Sequence, residues 1–360
     1  HRVDRRQRQM CIRDSFEPMS APLVTVILAT YNQQPYVAKA LKSILDQTYT
    51  NIEIIICDNG STDGTKNVIS EIISSHGDII YLNFSENESI TSRHNHCIGL
   101  AKGQFVSILF GDDYYDSCKI EKQVTAFAVL DSSWGVVYGP TRIKNQLTNH
   151  YGVMQGLRED GYVLNKLLKN WHIGGMMNCV VPLTRIECYQ KYLNYEDIFT
   201  EGEGVFLRIA IDYKFFYLSE PLSVMTEHEN NYGKSVISNI RNHDLVLARL
   251  ASMDTLPIKT QDLIKVHRSM GLFNAAWHCL RTNFNVQTAR ELLISAIKIH
   301  PLALLQSKVI FGIILMLLPD LFLDKVNTVS YTHLRAHETT EHLVCRLLLE
   351  KKKKSLIYHS

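Results

Sequence analysis

Phe105-Val106-Ser107-Ile108-Leu109-Phe110-Gly111-Asp112-Asp113-Tyr114 is a short apolar run that ends on two adjacent carboxylates. Its Val, Ile and Phe content suits a strand buried on both faces, as in parallel sheets. In open α/β sheets ligands bind in the crevice beyond the carboxyl ends of the strands, so a pair of aspartates emerging there is placed to hold a divalent cation. Taken alone, Gly111-Asp112 is also ordinary turn chemistry. The surrounding chain decides between the two.

Upstream, residues 23–28 (LVTVIL) read as a β-branched strand that runs into the polar loop Ala29-Thr30-Tyr31-Asn32-Gln33-Gln34-Pro35. Residues 36–47 follow as an amphipathic helix, with Val37, Ala40, Leu41, Ile44 and Leu45 along one face. Residues 52–57 (IEIIIC) form a second strand. The loop Asp58-Asn59-Gly60-Ser61-Thr62-Asp63-Gly64-Thr65 comes next, where Ser61 or Thr62 is expected to cap a helix reaching about residue 75. A third strand at 79–84 and a helix at 90–102 lead into Phe105. Strand and helix therefore alternate four times, which predicts a doubly wound, mostly parallel sheet with right-handed crossovers. Beyond Asp113 the pattern loosens into helices at 119–130, 164–170, 185–192 and 201–210 and strands at 134–138, 179–182 and 215–218. Past Asn231 only helical periodicity remains, which predicts a helical appendage over 231–327.

The chain has 360 residues, 46% hydrophobic and 21% charged, an ordinary globular composition. Its two ends differ from the rest. Residues 1–15 and 328–360 resemble strings produced when sequencing-adapter DNA is translated as coding sequence, and they are set aside from fold reasoning as artefactual tails. Each tail carries a net +3 against a formal +2 for the whole chain, so residues 16–327 are mildly acidic and the Lys351–Lys354 run gives no reason to expect nucleic acid as a partner. Cys57, Cys97, Cys118, Cys179, Cys188 and Cys279 lack CxxC spacing, which suits reduced thiols in a cytoplasmic protein. Residues 309–318 (VIFGIILMLL) and 321–323 flank Pro319-Asp320 and are too short a run to span a bilayer. They are expected either to dock peripherally on the inner membrane face or to pack in a helical core or dimer contact.

Four polar loops now stand at the ends of four successive strands: Thr30-Tyr31-Asn32, Asp58-Asn59-Gly60-Ser61, Ser85-Glu86-Asn87 and Gly111-Asp112-Asp113. In the motifs VTVILATYN, LKSILDQTYTNIEIIICDNGSTDGT and SRHNHCIGLAKGQFVSILFGDD, taken in that order, the chain resembles the family 2 glycosyltransferases over about residues 22–232. The resemblance implies a GT-A fold: an α/β domain over 16–230, with a mostly parallel Rossmann-like sheet flanked by helices, followed by the helical appendage. It also implies an inverting enzyme that moves a sugar from a nucleotide-sugar donor, a UDP-sugar being favoured, to a saccharide or lipid-linked acceptor in cell-surface polysaccharide synthesis.

The same resemblance assigns residues. Asp113 would ligate Mg²⁺ or Mn²⁺, with His228 approaching the metal or diphosphate, and Asp112 would contact the donor sugar and ribose. Asp58 would accept a hydrogen bond from the base, above Thr30 and Tyr31. Arg93 falls near the diphosphate position or is a solvated surface arginine. Inversion requires a general base to take the acceptor hydroxyl proton. Where the family carries a Glu-Asp pair ahead of an arginine, this chain has Glu201-Gly202 ahead of Arg208, so the base is expected from Glu203 or Glu201, with Glu196-Asp197 as more distant substitutes. These acids also suit a helix N-terminus on electrostatic grounds alone. If no acid fills the role, the chain would be a catalytically impaired nucleotide-sugar-binding subunit. A nucleotidyltransferase is a remoter alternative, since Ala29-Thr30-Tyr31-Asn32-Gln33 lacks a glycine-rich phosphate loop.

Overall fold

The first strand, β1 (Val24–Thr30), is buried at every residue, as its unbroken β-branched sequence requires. It pairs in parallel with β2 (Ile52–Asp58) on one side and β4 (Phe105–Phe110) on the other, and β2 pairs in parallel with β3 (Ile79–Asn83). The crossovers are α1 (Val37–Leu45), α2 (Thr65–Ile73) and α3 (Ile90–Leu100). Helix α1 buries Val37, Ala40, Leu41 and Ile44, the stripe its spacing predicts. The computed structural model describes residues 21–170, 180–200, 202–229, 231, 236–281 and 286–302.

The sheet continues past β4 through shorter strands: β6 (Trp134–Tyr138), β9 (Leu183–Arg185) and β10 (Lys214–Tyr217). Its order is β10-β6-β9-β4-β1-β2-β3. Strand β9 runs antiparallel to both β4 and β6, so the sheet is mixed at that point, and the strand lies slightly later than the 179–182 run that suggests one. Helices α4 (Lys119–Phe127), α5 (Leu164–Asn170), α6 (Ile186–Lys191) and α7 (Glu203–Asp212) connect these strands.

A second sheet, which the sequence pattern does not reveal, has the order β5-β11-β7-β8. It is built from β5 (Tyr114–Tyr115), β7 (Thr141–Asn145), β8 (Tyr151–Met154) and β11 (Ser223–Glu227). Because β5 begins at the residue after Asp113, the carboxylate pair sits at the junction of the two sheets.

The second helix start also differs from expectation. Helix α2 begins at Thr65 with Gly64 at its cap position and no side-chain cap. Ser61 and Thr62 are used otherwise: Ser61 Oγ accepts the Asn32 N–H at 2.9 Å, and the Thr62 N–H donates to Asn32 Oδ1 at 2.8 Å. The two loops thereby satisfy each other's backbone groups.

The chain divides into two compact units. One comprises residues up to 235 together with Leu245–Thr260, and the other Val236–Asp244 together with residues from Gln261 onward. The division passes through helix α8 (Val236–Ala251) rather than ahead of it. The second unit has its own apolar core, in which Leu272, Phe273, Ala276 and Cys279 of α9 (Ile258–Arg281) pack with Ala289, Leu292, Leu293 and Ala296 of α10 (Val286–Ile299). Among the described residues no helix is long and apolar enough to cross a membrane. The 309–323 segment and both terminal tails lie outside the described residues.

Candidate active site

The loops after β1, β2 and β4 are stitched together at one level. The Gly111 N–H donates to Ala29 O at 2.9 Å, and the Asn59 N–H donates to Thr30 O at 2.9 Å. Gly111 is required there by close approach: a Cβ would fall 2.4 Å from Gln33 Oε1 and 2.6 Å from Thr30 Oγ1. Strand β4 is itself anchored from below. Ser107, the polar residue of the strand, accepts from the fully buried Lys119 Nζ at 2.9 Å and donates to Pro182 O at 3.1 Å. Burial holds the Lys119 pKa well below its ordinary value, and Gln123 Oε1 takes a second Lys119 hydrogen bond at 2.8 Å.

The two aspartates at the end of β4 diverge. Asp113 is buried, and its Oδ1 accepts the Thr226 N–H of β11 at 2.8 Å, which clips the β4 turn to the second sheet. Asp112 faces the residues just beyond β11. Its Oδ2 shares a hydrogen bond of 3.1 Å with His228 Nε2 and also accepts from Asn231 Nδ2 at 3.5 Å. Asn231 further donates to Thr226 O at 3.0 Å and accepts the His228 N–H, so it fixes the turn that presents the imidazole. The imidazole is stacked on Tyr36, with ring centroids 4.7 Å apart and planes 13° from parallel. Tyr36 Oη donates to Gln146 Oε1 at 2.6 Å, beyond the end of β7. Tyr36, Gln146 and Asn231 escape sequence reasoning, although the polar run from Thr226 to Asn231 directly after a strand is a signal that points there.

His228 lies against Asp112, whereas Asp113 holds β11. Among the described residues no three His, Cys, Asp or Glu side chains gather into a protein-only metal cage. A Mg²⁺ or Mn²⁺ ion at a phosphate-binding site does not need one, because one or two protein ligands plus substrate phosphates and water complete its shell. The carboxylate and imidazole converging at Asp112 and His228 fit that pattern.

Asp58 is fully buried, accepting the Ser61 N–H at 3.0 Å and the Tyr81 O–H at 3.4 Å, with lone pairs remaining on its two oxygens. Thr30 is buried and donates to Gln33 Oε1 at 3.0 Å, while Tyr31 stands exposed at the mouth. Arg93 is no solvated surface arginine. Its guanidinium lies 3.6 Å over the Phe84 ring, Nε donates to Asn59 Oδ1 at 3.0 Å, and Nη2 pairs with Glu88 at 3.1 Å.

For the base, Gly202 stands at the cap of α7 with φ 148°, a conformation that L side chains rarely adopt, so glycine here has a backbone reason. Glu203 is the first residue of α7, and its side chain lies outside what is described, as does all of Glu201. The more distant substitutes are engaged elsewhere. Glu196 Oε1 accepts from Asn95 Nδ2 at 3.0 Å, and Asp197 forms a two-point pair with Arg249. The segment Gly174-Gly175-Met176-Met177, which resembles an acceptor-side loop in position, also lies outside the described residues.

Residues 25–185 match the family model of glycosyl transferase family 2. Among curated proteins, the chain is 38% identical over 102 residues to the UDP-Glc:alpha-D-GlcNAc-diphosphoundecaprenol beta-1,3-glucosyltransferase WfaP of Escherichia coli, covering 28% of this chain and 40% of that protein. The chain spans between about one-sixth and two-fifths of the length of the curated relatives it matches. Among solved structures it resembles Staphylococcus aureus TarS residues 1–349 in complex with UDP, with TM-score 0.60, 15% identity, and 88% of this chain and 93% of that one covered. It also resembles the mannosyltransferase PcManGT of Pyrobaculum calidifontis in complex with GDP-Man and Mn²⁺, with TM-score 0.54, 16% identity, and coverage of 91% and 90%. At such identities the likeness carries the fold alone, which is the GT-A fold.

Proposed function

We propose that the protein is a metal-dependent, inverting glycosyltransferase that moves a sugar from a nucleotide-sugar donor to a saccharide or lipid-linked acceptor in cell-surface polysaccharide assembly. The observation that carries this reading is the convergence of Asp112 and His228 at the carboxyl edge of the sheet, the edge at which buried Asp58 ends β2. Asp112 and His228 would hold the cation, and Asp113 is the clip that aims Asp112. There a Mg²⁺ or Mn²⁺ ion would supply charge neutralisation for the nucleoside diphosphate leaving group. Asp58, Thr30 and Tyr31 line the nucleoside side, and Arg93 braces Asn59 and the loop after β3 against Phe84. A carboxylate at the start of α7, from Glu203 or Glu201, takes the acceptor hydroxyl proton, since Glu196 and Asp197 are held by Asn95 and Arg249. A UDP-sugar is the favoured donor, a preference in keeping with the donor in the name of the Escherichia coli relative. A cytoplasmic site at the inner membrane face would suit a lipid-linked acceptor, the kind that the same name specifies.

The test is release of free nucleoside diphosphate from UDP-glucose, UDP-N-acetylglucosamine and GDP-mannose, each with Mn²⁺ and a bacterial lipid extract as acceptor. Release from one donor, abolished by chelation and by Asp112→Asn with the fold retained, is expected. Full activity in Asp112→Asn refutes the cation assignment. Donor binding without any turnover establishes the impaired binding subunit instead.

A further inference from the structure

Two lysines beside the candidate site lie over neighbouring tyrosine rings, and among the described residues no carboxylate pairs with either. Lys39, on α1, places Nζ 3.2 Å above the centre of the Tyr114 ring, and Lys144, on β7, places Nζ 5.9 Å above that of Tyr151. The two tyrosines are joined, Oη to Oη, at 3.4 Å. Among the described residues neither ammonium belongs to an ion pair, whereas nearby Arg142 is paired with Asp116. The Lys39 pKa is lowered, first by burial and then by the charge of Lys144, against an opposing contribution from Tyr151. Two ammonium groups over aromatic faces attract a dianion, and lysine is a common phosphate ligand.

The position of the pair excludes the donor's own base pocket. That pocket is built on β2 and β3, around Asp58, Tyr81 and Phe84, while the lysines flank the second sheet. The two cationic elements are nevertheless adjacent. Tyr114 follows Asp113 directly, Lys39 lies one helical turn after Tyr36, and Lys144 lies two residues before Gln146, the hydrogen-bond partner of Tyr36. Tyr36 in turn stacks on His228. A second anion bound at the lysines would therefore sit next to the donor diphosphate without sharing its ligands.

We infer that Lys39 and Lys144, with the hydroxyls of Tyr114 and Tyr151, form a second phosphate site that receives the phosphate or diphosphate group of the acceptor. This rests on the glycosyltransferase reading, which it deepens by naming the acceptor's chemistry. The exposed faces of Tyr151 and Val153 on β8 leave room for the remainder of such a molecule.

The full chain, saturated with UDP and Mg²⁺, is titrated calorimetrically with geranyl diphosphate, and the Lys39→Gln/Lys144→Gln double variant is treated alike. Binding of geranyl diphosphate is expected to weaken about tenfold or more in the variant, the loss of two charge-assisted contacts at a partly exposed site. UDP affinity is expected to stay unchanged, which also shows that the variant folds. Equal geranyl diphosphate affinity in the two proteins overturns the inference, and a parallel fall in UDP affinity does too, by returning the lysines to the donor site. Adsorption only to phosphatidylglycerol vesicles, with no binding of the soluble diphosphate, reassigns the patch to a membrane surface. Tighter binding of glucuronate than of geranyl diphosphate reassigns it to a uronate. Failure of the unaltered protein to bind UDP with Mg²⁺ counts against the glycosyltransferase reading itself.

Discussion

Lowering the pH from 7.5 to 5 removes about 2 kcal/mol of stability through a single side chain, His94. This histidine lies inside α3, fully buried, with its Nε2 lacking a hydrogen-bond partner and its ring centroid 5.8 Å from that of Phe110, at the end of β4. Burial pushes its pKa down from the ordinary 6.5 to about 4. Above pH 6.5 both the folded and unfolded chains carry a neutral imidazole, so the residue adds no pH dependence. Between pH 6.5 and 4 the unfolded chain takes up a proton that the folded chain refuses, so stability falls as pH falls. Integrating that proton difference gives about 2 kcal/mol by pH 5 and about 3 kcal/mol below pH 4. Urea midpoints of the unaltered protein and of His94→Leu, measured at pH 7.5 and at pH 5, isolate the contribution, because the other histidines are common to both. The variant is expected to lose about 2 kcal/mol less than the unaltered protein over that interval. An identical pH dependence in the two proteins would show that His94 accepts its proton in place, and the reasoning fails.

Two glycines give sharper local tests. Gly111→Ala inserts a methyl 2.4 Å from Gln33 Oε1 and 2.6 Å from Thr30 Oγ1, so it displaces the β1 loop. Thermal stabilisation by UDP with Mn²⁺ is expected to shrink, and stabilisation equal to that of the unaltered protein would contradict the close packing. Gly202→Asp, which restores the residue that the family resemblance leads one to expect, meets φ 148° and is expected to cost about 1–3 kcal/mol by chemical denaturation without raising activity. An active, equally stable Gly202→Asp would mean that the α7 start can relax and that the base belongs at 202.

The first half of the fold was legible because its central strands β1 and β4 are buried on both faces. Such strands leave uninterrupted runs such as 24–30 and 105–110, and the amphipathic α1 between them shows its stripe without ambiguity. The second sheet left no such trace. Strand β7 is only half-buried over most of its length, β8 exposes its apolar Tyr151 and Val153 and half-buries Gly152 and Met154, and β5 is two residues long, so none offers the apolar run or the apolar/polar alternation that marks a strand. The misplaced cap at Ser61 or Thr62 has a related cause. Local capping chemistry was outcompeted by Asn32, a residue in the left-handed region at φ 51° that a distant stretch of sequence supplies. Stacking of Tyr36 on His228 joins opposite ends of the domain and has no local signature at all.

The different surroundings of Asp112 and Asp113 follow from the same limit. Two adjacent carboxylates are chemically equivalent in a sequence, but the chain turns here, the Asp113 N–H donating to Phe110 O at 3.0 Å, so the two side chains meet different neighbours. Which side chain faces the crevice depends on where the neighbouring sheet lies, and here that sheet is the one the pattern conceals. With β11 placed beside β5, the turn brings Asp113 to the Thr226 N–H and leaves Asp112 for His228 and Asn231. The strand that makes the second sheet therefore also separates the surroundings of the two aspartates, and the residues just beyond it supply the histidine opposite Asp112. In the same way, β7 carries Lys144 toward Lys39 while its continuation holds Tyr36 against His228. A sheet that the residue pattern conceals is thus the element that joins the Asp112–His228 pair to the surroundings of Lys39 and Lys144.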